Sequence, residues 1–136
     1  MNMQQISVFL ENKPGRLSSA LSLLSQSHIN IRALSIAETP DYGVLRMIVD
    51  KPDEALFAFQ KAGFAVSFND VLALSIPDRP GGLSEAVSLL VKHGIDVDYI
   101  YAFVGNEKEE AYVVFRTEKN EQATLVLKKA GYKSIE

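Results

Sequence analysis

The chain has 136 residues, enough for one ordinary domain or two very small ones, and its 47% hydrophobic content is that of a globular protein. Net charge is −3, with 6 basic and 7 acidic residues in 1–70 and 8 and 10 in 71–136; no basic stripe is present to neutralise phosphates, which argues against nucleic acid and anionic membrane as partners. The absence of cysteine removes disulfides, thiolate catalysis and Cys-based zinc or iron–sulfur sites.

The opening residues, MNMQQISVFL, contain no charged segment followed by an apolar one, so no secretory signal is read there. The longest apolar run, Tyr99 to Val104, is far shorter than the roughly 20 residues of a membrane helix. The expected setting is soluble and cytoplasmic. Within the same opening stretch Ile6, Val8 and Leu10 alternate with Ser7 and Phe9, the period-2 pattern of a strand. Asn12-Lys13-Pro14-Gly15 then breaks it, because Pro cannot continue a ladder and Gly frees the backbone. Leu17, Ala20, Leu21 and Leu24 follow at helical spacing. Two strands are expected at 30–38 and 44–50, joined through Pro40-Asp41-Tyr42-Gly43. Pro52 suits the first turn of a second helix, on which Ala55, Phe59 and Ala62 share a face. Phe57, Phe59 and Phe64 are all expected in the core. Gly63 closes the helix and a short strand ends the series.

The series then starts again. Residues 12–31, NKPGRLSSALSLLSQSHINI, align with residues 78–97, DRPGGLSEAVSLLVKHGIDV, with nine identities in twenty. VLALSI at 71–76 repeats the first strand, Leu83, Ala86, Val87 and Leu90 the first helix, and DVDYIYAFV and EAYVVFRT the hairpin strands. Gly105-Asn106-Glu107-Lys108 is the expected turn between those strands. Ala123, Leu127 and Ala130 repeat the second helix, and KAGY at 129–132 matches KAGF at 61–64. A repeat across the whole chain means duplication of one unit, near 1–70 and 71–136. The junction FNDVLAL has no flexible linker, so one strand should run almost directly into the next. The order β-α-β-β-α-β, twice, is the split-βαβ, ferredoxin-like α+β sandwich: an antiparallel four-stranded sheet with two helices on one face.

Many functions share that fold, so function has to come from a site. The repeated residues outside the core lie in the strand-to-helix loop. Gly at a helix start turns free N–H groups outward, and the helix dipole adds roughly half a positive charge there. Such a loop accepts a carboxylate or phosphate. Asn12 or Asp78 stands beside it, and Asn30 or Asp96 opens the strand after the helix, expected at the same end of the sandwich. Their oxygens suit an ammonium group. Amide donors with carboxylate or amide oxygens nearby fit a zwitterion, of which a free amino acid is the simplest.

The motif Asn/Asp-Lys/Arg-Pro-Gly-x-Leu-x-x-Ala-x-x-Leu-Leu, followed by Ile-Asn-Ile or Ile-Asp-Val, resembles that of the ACT domain. ACT domains are small amino-acid-sensing modules with this fold, and the resemblance covers the chain as two consecutive domains. It implies two domains packed side by side into a continuous eight-stranded antiparallel sheet. It also implies an amino-acid effector at their interface, held by Asn12, Pro14, Gly15, Arg16, Leu17, Asn30 and Ile31, and by Asp78, Pro80, Gly81, Gly82, Leu83, Asp96 and Val97. No catalytic residues, metal or cofactor are expected. The implied partners are a free amino acid and a separate metabolic enzyme, with homodimerisation left open. Two departures matter. The residue after Pro-Gly is usually small in the family; Gly82 complies, whereas Arg16 either turns outward or reaches toward a ligand. Asp-Val replaces Asn-Ile in the second copy. Unequal sites follow, with PGG expected to allow the closer ligand approach.

Competing readings are a structural interaction module that regulates a partner enzyme without a ligand of its own, and an acylphosphatase-like hydrolase. The second needs a phosphate-cradling loop with Arg and a catalytic Asn; Arg16 echoes it, but Gly82 takes that place in the other copy. RNA-recognition modules require a basic surface that is missing here. His28 and His93 are unaligned and have no ligating neighbours in sequence, so helix-end roles are expected for both. Tyr99 and Tyr101 are expected to pack, and Glu107 to Glu110 to form a solvated hairpin tip.

Overall fold

The computed structural model describes residues 1–105 and 109–135; the expected hairpin turn at Asn106-Glu107-Lys108 lies outside the described residues. Among the described residues there are seven strands and four helices. The chain divides into two compact units, Gln4–Asn69 and Met1–Met3 with Asp70–Glu136. Strand β4, Ala65–Pro77, runs unbroken for 13 residues through Asn69-Asp70. The strand ending one copy and the strand opening the next are thus a single element, and the strand count is seven.

In the first unit β1 (Asn2–Glu11), β2 (Ile31–Glu38), β3 (Tyr42–Val49) and β4 take the order β2-β3-β1-β4. Antiparallel pairs such as Ile6 with Met47 and Leu34 with Met47 fix the register. Helices α1 (Arg16–Gln26) and α2 (Pro52–Lys61) cover one face. The alternation read in β1 now has a cause: Ile6, Val8 and Leu10 point at the helices and join Leu45, Met47 and Val49 of β3, Ala20 and Leu24 of α1, and Ala55 and Phe59 of α2. Phe59 and Phe64 meet edge to face at 5.4 Å.

The second unit repeats this order. Strands β4, β5 (Val97–Ala102), β6 (Glu110–Thr117) and β7 (Lys133–Ser134) run β7-β4-β6-β5. Helices α3 (Gly82–Lys92) and α4 (Asn120–Lys129) bury Ala86, Leu90, Ala123 and Leu127 against Leu72, Leu74, Val113 and Phe115. Both units are therefore ferredoxin-like sandwiches.

Two core expectations need correction. Phe57 is 65% exposed, because two residues along a helix from Ala55 turns the side chain about 200°, away from the face that Ala55 and Phe59 bury. Ala62 and Ala130 are also exposed; each is the C-cap of its helix and has left the buried stripe.

Candidate functional site

Each repeated loop is a chain of tight turns. In the first copy the Lys13 N–H donates to the Glu11 carbonyl (2.8 Å) and the Arg16 N–H to the Lys13 carbonyl (3.3 Å). In the second the Arg79 N–H donates to Pro77 (3.0 Å) and the Gly82 N–H to Arg79 (3.0 Å). Gly15 (φ 82°) and Gly81 (φ 87°) sit at the helix N-caps in the left-handed region, which other residues adopt only with strain. Neither helix start has a side-chain cap. With the Arg16 and Gly82 N–H groups bonded inside their loops, the next donors of the first turn, at Leu17 and Leu83, are left to whatever approaches from outside, and the dipole favours an anion there.

The surroundings of the two loops differ. In the first copy Asn12 Nδ2 donates to the Pro40 carbonyl (3.4 Å), tying the loop to the β2–β3 hairpin. Glu11 accepts from the Lys13 ammonium at 2.8 Å, and that hydrogen bond holds its carboxyl below the usual carboxylate range. A cavity of about 210 Å³ opens here, with Asn12, Lys13, Arg16, Leu17, Thr39 and Tyr42 in its wall. The Arg16 guanidinium lies 4.2 Å over the Phe64 ring, while its Nε is buried without a hydrogen-bond partner. Arg16 thus lines the cavity wall and rests on an aromatic ring of the core.

In the second copy the Asp78 N–H donates to the Glu109 carbonyl (2.9 Å), and Arg79 grips Glu85 through both guanidinium nitrogens (3.2 and 3.1 Å). Gly82 is buried, and a Cβ added to it would collide with the Pro77 carbonyl oxygen. The smallness of Gly82 therefore serves the loop's own packing, and the space once assigned to a ligand at that Cβ is filled by the chain itself. Above Gly81 no atom lies within 4 Å of the corresponding position.

The second half of the motif is elsewhere. Glu11 is paired with Tyr42, whereas Ile31 is paired with Val49, seven residues further along β3 and about 23 Å away at 3.3 Å per residue. The second unit matches, with Pro77 opposite Glu110 and Val97 opposite Thr117. Asn30-Ile31 and Asp96-Val97 thus lie at the opposite end of their own unit from Asn12 to Leu17 and Asp78 to Leu83, contrary to the expectation of a shared end. The cause is elementary: the helix runs back along the sheet, so the loops before and after it are at opposite ends. Asn30 is instead held by Asp50, whose carboxylate accepts from the Asn30 N–H (3.0 Å) and whose own N–H donates to the Asn30 carbonyl (3.1 Å). The side chains of Asn12, Asn30, Asp78 and Asp96 are all exposed.

The sequence analysis names neither Thr39 nor Asp50, and gives Tyr42 only as a turn residue and Phe64 only as core. Only the hairpin residues carried a usable signal, being the turn nearest the loop in this fold. His28 and His93 take helix-end places, with His93 Nδ1 against the Leu89 carbonyl (3.0 Å). Tyr99 and Tyr101 stack with centroids 6.4 Å apart. Among the described residues, no three His, Cys, Asp or Glu side chains are grouped to hold a metal ion, and no helix is long and apolar enough to cross a membrane.

Comparison with known proteins follows the same lines. A protein of Bacteroides thetaiotaomicron of known structure is 38% identical, with a TM-score of 0.93 over 99% of this chain and 92% of that one. The ligand-free regulatory subunit of aspartate kinase from Thermus thermophilus shares the fold at 18% identity, with a TM-score of 0.69 over 94% and 92% of the two chains. The corresponding subunit from Thermus flavus gives 16% and 0.61 over 93% and 91%. No curated protein matches the sequence. No catalytic family is indicated, and the family that describes ACT domain pairs matches residues 1–135. The chain belongs to the ACT domain pair family.

Proposed function

We propose that this protein is a non-catalytic regulator that binds a free amino acid and passes the binding on to a separate enzyme. One observation carries the reading: the same uncapped, glycine-opened helix start is built twice, each time beside an exposed Asn or Asp. The amides of Gly15 and Leu17, and of Gly81 and Leu83, take the ligand carboxylate, and side-chain oxygens take its ammonium. Asn30 and Asp96 stand too far from the loop of their own unit to share a small ligand with it. Binding stabilises the ligand-competent arrangement by RT ln(1 + [L]/Kd), and that differential is what a partner enzyme reads. Likeness in fold to regulatory subunits of aspartate kinase supports a regulatory role of this kind.

The test is a thermal-shift screen against the twenty amino acids, with calorimetry on any hit. The expected result is a saturable shift with one or a few of them, weakened in Asp78→Ala without a change in the ligand-free melting temperature, since that side chain is exposed. No shift with any amino acid would refute the sensor reading and favour an interaction module without its own ligand.

A further inference from the structure

We infer that the α1–α2 face of the first unit is a self-association surface, on which α2 of one copy lies antiparallel to α2 of a second. The argument begins with Phe57, whose ring is 65% exposed at the middle of α2. Beside it runs a groove of about 700 Å³ walled by Leu23 of α1 and Ala58 of α2 and by the residues that cap the two helices, Ser27 and Ala62. A large apolar knob next to a groove floored by small residues is a self-complementary shape, since a two-fold axis seats each Phe57 in the other copy's groove.

Charge selects the direction. The acidic pair Asp53 and Glu54 stands in the first turn of α2 and Lys61 in the last, all on the wall of the groove. None of the three forms an ion pair among the described residues. Eight residues separate Asp53 from Lys61, about 12 Å along the axis. Antiparallel helices bring each acidic end to the partner's Lys61, twice by symmetry, and oppose the two helix dipoles. Parallel helices would set acid against acid.

Leu125 repeats the exposed position on α4, at 70% exposure, with Glu121 before it and Lys128 after it. The hollow beside Leu125, however, is walled by Asp70, Glu118, Lys119 and Glu121. With Asn2, Asn120, Gln122 and Thr124 beside them that hollow is polar, whereas Leu23, Phe57, Ala58 and Ala62 leave the α2 groove mainly apolar, so α2 is the docking face and α4 is not.

The test is sedimentation velocity from about 1 µM to about 500 µM, where a dimer grows with concentration by mass action. Phe57→Glu is expected to weaken the dimer about tenfold or more, as loss of a central aromatic anchor does. Lys61→Glu and the pair Asp53→Lys with Glu54→Lys should each weaken it alone, yet an equimolar mixture of those two variants should form a heterodimer, because the opposed charges match again. Unchanged melting curves for the variants establish that they fold. A monomer throughout the range, a dimer no weaker in Phe57→Glu than in Leu125→Glu, or a mixture that fails to pair would each overturn the assignment.

Discussion

Gly82→Ala separates packing from ligand approach at the second loop. The glycine is the first residue of α3, and the methyl would collide with the Pro77 carbonyl oxygen, with the Pro77 carbonyl carbon also close at 3.3 Å. That carbonyl is not free to swing aside, because it accepts the Arg79 N–H at 3.0 Å while Arg79 in turn accepts the Gly82 N–H at 3.0 Å. Relief requires the loop to move off β4 and loosen one or both bonds. Overpacking of this sort costs about 1–3 kcal/mol, and each weakened loop hydrogen bond adds about 0.5–1.5 kcal/mol. The expected loss is about 2–4 kcal/mol, or roughly 10 °C in a calorimetric scan of a chain of this size. Arg16→Ala, at the same place in the first repeat, removes only a cation–π contact and should cost about 0.5–1 kcal/mol. Gly81→Ala meets no neighbour but is strained by its backbone, at about 1–2 kcal/mol. The reasoning fails if Gly82→Ala melts within a degree or two of the parent, or loses less than Gly81→Ala.

Three further outcomes follow from the repeat and its cores. His28 takes φ 56° where the second copy has Gly94 at φ 74°; chemical denaturation should show His28→Gly stabilising by about 0.5–1 kcal/mol and Gly94→Ala destabilising by a similar amount. Leu24→Ala and Leu90→Ala each empty a fully buried site, so urea melts should lose about 2.7–5 kcal/mol. Thr117 is buried and its hydroxyl both donates to Asn120 Oδ1 (2.9 Å) and accepts the Lys119 N–H (3.1 Å), so Thr117→Val should cost about 1–2 kcal/mol in the same assay.

Periodicity made much of this fold legible. The Leu/Ala stripes at 17–24 and 83–90 became α1 and α3, and the alternation at 6–10 became the buried face of β1. Phe57 was misplaced by counting aromatic residues instead of helical angle; the same spacing that put Ala55 and Phe59 together should have put Phe57 outside. The stacking of Arg16 on Phe64 and the pressure of Pro77 on Gly82 could not be read. Both depend on where a loop passes in space, which residue spacing does not give.

The separation of the motif's halves was legible in principle, since a helix between two parallel strands always moves the chain from one end of a sheet to the other. Its consequence reaches function. A span of about 23 Å is several times the length of any amino acid, so no ligand can touch Asn12 and Asn30 of the same unit at once. Asn12→Ala and Asn30→Ala therefore act at different places, and a calorimetric double-mutant cycle between them should show energies that simply add. Coupling of about 0.5–3 kcal/mol between Asn12 and Asn30 would mean that the loop and the strand start act on one ligand after all, and the separation argued from the strand register would fall.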